Sequence, residues 1–138
     1  MRALTESLYS RLAGDDSIVS ALSQYRGAPG IFSARIVPAD AKMPYVHIRP
    51  PVIDVPWDTL TRLGREISQD IAIYFEDSGS EGEVEDLAMR IRDLMHNRPL
   101  VVDGWHCAII SASGPIDAPE ESGYTGRLVT VRVRLQRE

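Results

Sequence analysis

Leu4, Leu8 and Leu12 recur every four residues, the spacing of an apolar stripe along a helix, and predict helical structure over Leu4 to Leu22. Gly14-Asp15-Asp16 interrupts that stretch. Gly14 can end a first helix, and either aspartate can cap a short second one carrying Ile18, Val19 and Leu22. The apolar period then shortens to two. Ile31 to Val37 alternates as a strand, and Tyr45 to Ile48 follows as a shorter one between Pro44 and Pro50-Pro51, residues without the N–H that an interior strand position needs. Val52 to Leu63, with Pro56 and Trp57, follows neither period and is predicted as a loop. Arg65 to Phe75 is the clearest strand: Ile67, Ile71, Ile73 and Phe75 share one face, and Glu66, Ser68, Asp70 and Tyr74 share the other. Gln69 interrupts the apolar face and is expected at a rim.

Helical spacing returns with Val84, Leu87, Ala88, Ile91, Leu94 and Met95, an apolar face about 100° wide. Ser80 and Glu83 have capping-box spacing at its start, and Asn97 and Pro99 suit its end. Trp105 to Ser113 reads as a strand, Gly114 to Gly126 as a long polar connection, and Leu128 to Leu135 as the last strand. There Val129, Val131, Val133 and Leu135 point inward, and Thr130, Arg132 and Arg134 point outward. The predicted class is α+β: a largely antiparallel sheet of about four to five strands with two main helices packed on one face, the other face being solvated or used for contact. One domain spans residues 1–138, with residues 51–63 and 114–126 expected as mobile loops.

Composition narrows the function classes. The 138 residues suit one domain, and 43% apolar with 25% charged residues fits an ordinary globular core. A net charge of -5 argues against a general nucleic-acid-binding surface, yet suits a surface that DNA slides past without sticking. The single cysteine, Cys107, excludes an intramolecular disulfide. Met1 to Leu12 lacks the continuous apolar segment of a signal peptide, and no apolar run approaches the ~20 residues of a membrane span, so no membrane partner is expected.

The side chains offer little for catalysis. His106 and Cys107 are adjacent in a strand and therefore face opposite ways, so they cannot readily share a metal ion or act as base and nucleophile. His96 lies at a helix C-terminus, where a cation is favoured, and His47 sits in the short second strand. Glu81, Glu83, Glu85 and Asp86 suit the N-terminal end of a helix dipole, and Glu120-Glu121 reads as a solvated loop pair. Asp54 and Asp58 flank Trp57, but nothing nearby supplies a base, a metal ligand set or an oxyanion hole. G-x-G-x-x-G, P-loop and G-x-S-x-G signatures are absent. No catalytic residue, metal site or cofactor is expected. Arg132 and Arg134 on the last strand, and Glu66 and Asp70 on the long strand, carry opposite charge on outward positions. If the strands are neighbours the charges pair within the sheet, each pair contributing roughly 0.2–1 kcal/mol; if not, they offer complementary patches to another subunit.

Three stretches resemble the tail terminator or tail-completion (head–tail joining) proteins of long-tailed phages, prophages and gene transfer agents. They are Leu4 to Ala13 with the following Gly-Asp-Asp, Ile36 to Ile48 with its Pro-Tyr-Val strand, and Ser68 through the amphipathic helix and Pro99-Leu100 to the final hairpin. The segment Pro51 to Leu63, with Val-Pro-Trp, departs from the shorter polar connection expected of that family. The resemblance implies a structural subunit in the virion tail or neck, assembled in the bacterial host cytoplasm. It implies a self-assembled ring, commonly hexameric, that caps the finished tail tube, ends its polymerisation and joins the head connector. Partners would be the tail tube protein and connector proteins, with DNA passing through the lumen unbound. Asp54, Trp57, Asp58, Glu66, Asp70, Glu120, Glu121, Arg132 and Arg134 are the candidate interface residues. The alternatives are a dimeric ferredoxin-like module for a small ligand, and an enzyme using Asp54 or Asp58.

Overall fold

In a computed structural model, residues 1–33, 36–76, 81–118 and 124–138 are described. These contain α1 (Arg2–Ala13), α2 (Asp16–Ala21) and α3 (Glu81–Met95). The strands are β1 (Gln24–Tyr25), β2 (Ala28–Pro29), β3 (Ile31–Phe32), β4 (Tyr45–Ile48), β5 (Ile53–Pro56), β6 (Gly64–Glu76), β7 (Trp105–Asp117) and β8 (Tyr124–Arg137). β1 and β2 form a small hairpin of their own. The remaining strands make a six-stranded sheet in the order β3-β4-β6-β8-β7, in which β5 also pairs with β6. β8 pairs along the whole of β6, so β4 and β5 share the other side, β5 against residues 65–68 and β4 against residues 71–74. All pairings are antiparallel except β3 with β4. The class is α+β as expected, with more strands than the four to five anticipated.

The extra strand comes from the segment 51–63, which is not wholly a loop. Its prolines hide the β-period, yet Pro56 costs no ladder bond. The Trp57 N–H donates to the Gly64 carbonyl at 2.8 Å, so the backbone groups of Pro56, one residue earlier, face away from β6, where no donor is needed. The connection 114–126 is also shorter than expected, because β7 runs to Asp117 and β8 begins at Tyr124. Backbone pairing continues there without regular apolar alternation, through irregularities between Cys107 and Ile109 and between Ser113 and Ile116. The first predicted strand is reduced to Ile31–Phe32. Residues 34 and 35 of that prediction and the capping residue Ser80 lie outside the described residues.

One face of the sheet carries the helices. Leu4, Leu8 and Leu12 of α1 and Val84, Ala88, Ile91 and Met95 of α3 are fully buried against Ile67, Ile71, Ile73, Val129, Val131, Val133 and Leu135. Each of these side chains larger than Ala88 contributes about 1.5–3 kcal/mol. Gln69 belongs to this layer and not to a rim. It is fully buried, and its Nε2 donates to Thr5 Oγ1 at 3.0 Å and to the Arg49 carbonyl at 2.9 Å, while Oε1 has no partner among the described residues. The amide thus ties α1 to the β4–β5 connection in place of an apolar contact. α1 also secures the chain after α3: Arg11 donates to the carbonyls of Arg98 and Pro99, and Ser7 Oγ donates to the Val101 carbonyl at 2.8 Å.

Asp15 has two roles in the helix layer. Its Oδ1 accepts from the Ile18 N–H at 3.1 Å and caps α2, and its Oδ2 pairs with Arg90 of α3. Burial alone would raise its pKa, but hydrogen bonds from Arg90 and from the backbone of Ile18 and Ser17, with the Arg90 charge, outweigh it and hold the carboxyl below its ordinary value. A depressed folded-state pKa stabilises fully above about pH 4, and the contribution disappears as pH falls through the lower folded value. Asp15→Asn keeps a capping oxygen and loses the ion pair. It should cost about 0.5–1 kcal/mol in urea unfolding at pH 7, and the gap from the parent should close when the titration is repeated toward pH 2.

Gly64 of β6 is fixed by the close approach of β8 and of the turn that follows β5. A Cβ there would overlap the Trp57 carbonyl and lie 2.8 Å from the Leu135 carbonyl, both of them backbone atoms. Gly64→Ala should therefore destabilise by about 1–3 kcal/mol. Gly82→Ala in α3, where a Cβ meets nothing within 4 Å, should stabilise by about 0.5–1 kcal/mol. Parallel urea titrations of the two variants check the sign as well as the size.

Candidate assembly surface

Strand register places the outward-pointing residues in rows across the face opposite the helices. Ile53, Ser68, Arg132 and Ser111 form one row, Val55, Glu66, Arg134 and Ile109 the next. Further along β6 come Asp70 beside Thr130, and then His47, Ala72 and Leu128. Among the described residues no helix covers this face. It is both charged and apolar: Ile53, Val55 and Ile109 are exposed around the two arginines.

The strands are neighbours, and one of the expected charge pairs, Glu66 with Arg134, forms within the sheet. Arg134 Nε lies 3.2 Å from Glu66 Oε1, and its guanidinium sits over the Trp57 ring, 5.4 Å from the centroid. Arg132 Nε makes a long hydrogen bond of 3.4 Å to Ser68 Oγ, and no described carboxylate lies within ion-pair distance of Arg132. Thr130 Oγ1 donates to Asp70 Oδ1 at 2.7 Å. Ser68 is buried although it faces outward, because Ile53 and Arg132 close over it from both sides.

The aspartates flanking Trp57 do not join it in a common site. Asp54 pairs in register with Ile67 and so faces the helix side, where it forms an ion pair with Arg65. Asp58 Oδ1 accepts the Gly64 N–H at 2.9 Å and closes the turn. Their roles are to shape the β5–β6 connection. Glu120 and Glu121 lie outside the described residues.

Sequence reasoning missed a row of aromatic rings on the same face. Tyr25, Phe32, Tyr45 and Tyr74 follow one another with centroid separations of 5.3, 5.6 and 5.5 Å, and Arg26 sits over Tyr25. The Tyr25 hydroxyl donates to Asp40 Oδ1 at 2.9 Å, and that bond raises the phenol's pKa. Tyr74 covers Gly126, where a Cβ would meet its ring at 2.7 Å, and borders a small second core of Ala72, Ala118 and Leu128. Only the outward register of Tyr45 and Tyr74 was a possible signal for this row. Phe32 and Tyr25 reach it through the parallel β3–β4 pairing and the small β1–β2 hairpin, which short-range periodicity does not report.

The histidines and the cysteine are dispersed. Cys107 is buried on the helix side and His106 is exposed. His96 Nδ1 accepts the Ala112 N–H at 3.0 Å, which ties the end of α3 to the β7 edge. That bond belongs to a seal along β7. Asn97 N–H donates to the Ile110 carbonyl at 3.2 Å, and Arg92 donates to the Gly114 carbonyl at 3.3 Å. The end of α3 thus occupies backbone groups that an edge strand would offer to another chain, and Pro56 blunts the β5 edge.

Comparison with known proteins agrees with this architecture. A solved chain from the "Virion of native gene transfer agent (GTA) particle" superposes with a TM-score of 0.80 at 17% identity, over 98% of this chain and 96% of that one. A second solved chain superposes with a TM-score of 0.52 at 12% identity, over 99% of this chain and 94% of that one. Comparison with curated protein sequences gives no match. The family model described as "Tail completion protein gp17" matches residues 6–136, nearly the whole described fold, and the chain belongs to that family of phage tail structural proteins.

Proposed function

We propose that this chain is the repeating subunit of a ring, hexameric in its mature form, that caps a finished tail tube, ends its polymerisation and joins it to the head connector. The observation that carries this reading is the family match across residues 6–136. The surface supports it in physical terms. A joining protein needs exposed side-chain area for the tube on one side and the connector on the other, and the uncovered sheet face supplies Ile53, Val55, Ile109, Trp57 and the arginines. Sealed or blunted strand edges favour closed, side-chain-mediated contacts over open-ended strand addition. The net charge of -5 suits a bore through which a phosphate backbone passes without adhering. Assembly takes place in the host cytoplasm, and the finished ring sits at the tail–head junction.

Native mass spectrometry over a concentration series, with negative-stain imaging in the presence of purified tail tubes, tests this proposal. Six-fold rings on one end of the tubes, and tubes that stop growing once capped, are the expected result. A stable dimer at every concentration that leaves tube growth unaffected would remove it.

A further inference from the structure

The turn between β5 and β6 presents an apolar knob. Leu60 is fully exposed at its tip, and the turn is held by hydrogen bonds from the Thr59 N–H to the Arg62 carbonyl at 2.8 Å and from the Arg62 N–H to Thr59 Oγ1 at 3.1 Å. The Trp57 N–H bond to the Gly64 carbonyl and the Gly64 N–H bond to Asp58 Oδ1 close its base. A single exposed leucine is ordinary; one held on a hydrogen-bonded turn beside an exposed arginine has a defined shape and charge.

A complementary groove lies at the other end of the molecule. Between α2 and α3, Ala21, Phe75 and Leu87 line an open groove of about 490 Å³, and exposed Glu83 and Asp86 stand at its rim. The groove's one arginine, Arg90, is already paired with Asp15, which leaves the rim acidic. The knob cannot fill the groove of its own chain. Gly64 anchors the knob and Phe75 lines the groove, and β6 runs unbroken between them. Eleven residues at ~3.3 Å each hold the two roughly 36 Å apart.

We propose that Leu60 of one copy inserts into the α2–α3 groove of the next, with Arg62 against Glu83 and Asp86. The occupant of the groove is a second copy of this chain. Of the two described aliphatic side chains more than nine-tenths exposed, Leu60 and Val101, charge selects Leu60: Val101 lies among Glu6, Asp103 and Arg11, a net negative setting that would meet an acidic rim. A protruding apolar side chain that fits a groove elsewhere on the same surface makes a head-to-tail contact, the type from which cyclic rings are built. This inference rests on the ring reading and names the contact within it.

The test compares the parent with Leu60→Asp, Arg62→Glu, a Glu83→Arg/Asp86→Arg double variant, and the combination of Arg62→Glu with that double variant. Each altered side chain is exposed, and matching thermal melts establish that the folds are intact. Self-association is read by sedimentation and native mass spectrometry, and ring formation by imaging on tail tubes. Leu60→Asp and Arg62→Glu should each weaken self-association by about tenfold or more, and the combined charge reversal should recover most of what Arg62→Glu loses. Rings that form undiminished in all variants would overturn the contact and leave the ring itself standing. Rings that form normally with Leu60→Asp but no longer seat on tubes would assign the knob to the tube and also overturn it. A parent chain that never self-associates, alone or on tubes, would overturn both the contact and the ring.

Discussion

All thirteen residues of β6 pair with β8, from Gly64 with Gln136 to Glu76 with Tyr124, and everything else is attached to that double strand. One of its faces is aliphatic and takes α1 and α3. The other is charged and aromatic and, among the described residues, carries no helix. β4 and β5 divide the free side of β6, while β7 continues the sheet beyond β8. A paired segment of this length sets the register of both faces at once, since a slip by one residue would turn the valines of β8 outward and its arginines into the core. That cost keeps Glu66 beside Arg134 and Ser68 beside Arg132.

The uncovered face and the sealed edges belong to one arrangement. A sheet with a free edge can add strands from other chains without limit, and here His96, Asn97 and Arg92 occupy part of the β7 edge while Pro56 removes a donor at β5. What remains for contact on the sheet is side-chain shape and charge. The family to which the chain belongs is one of phage tail structural proteins.

Much of the candidate surface was legible in the chain, but its internal assignments were not. Alternation in Arg65 to Phe75 and Leu128 to Leu135 places Glu66, Asp70, Arg132 and Arg134 on the outer face, and the register confirms that they are neighbours. Trp57 belongs to the same surface through Arg134. Asp54 and Asp58 look like its companions in sequence, yet one faces the helix side and the other closes a turn. The aromatic row was invisible, because its four rings come from segments joined only by sheet pairing.

The sequence by itself determined the helix stripe at Leu4, Leu8 and Leu12, the amphipathic third helix, the two long strands and their inward faces. These depend on local periodicity, and the side chains that repeat are the ones that must leave water. Only the tertiary structure decided that Val52 to Leu63 contributes a strand, that Gln69 is buried, and that part of the β7 edge is occupied by the end of α3. Those outcomes depend on partners far away in the chain. A polar amide is tolerated in the core because Thr5 and Arg49 meet it, and a proline is tolerated in a strand because no neighbour needs its missing N–H.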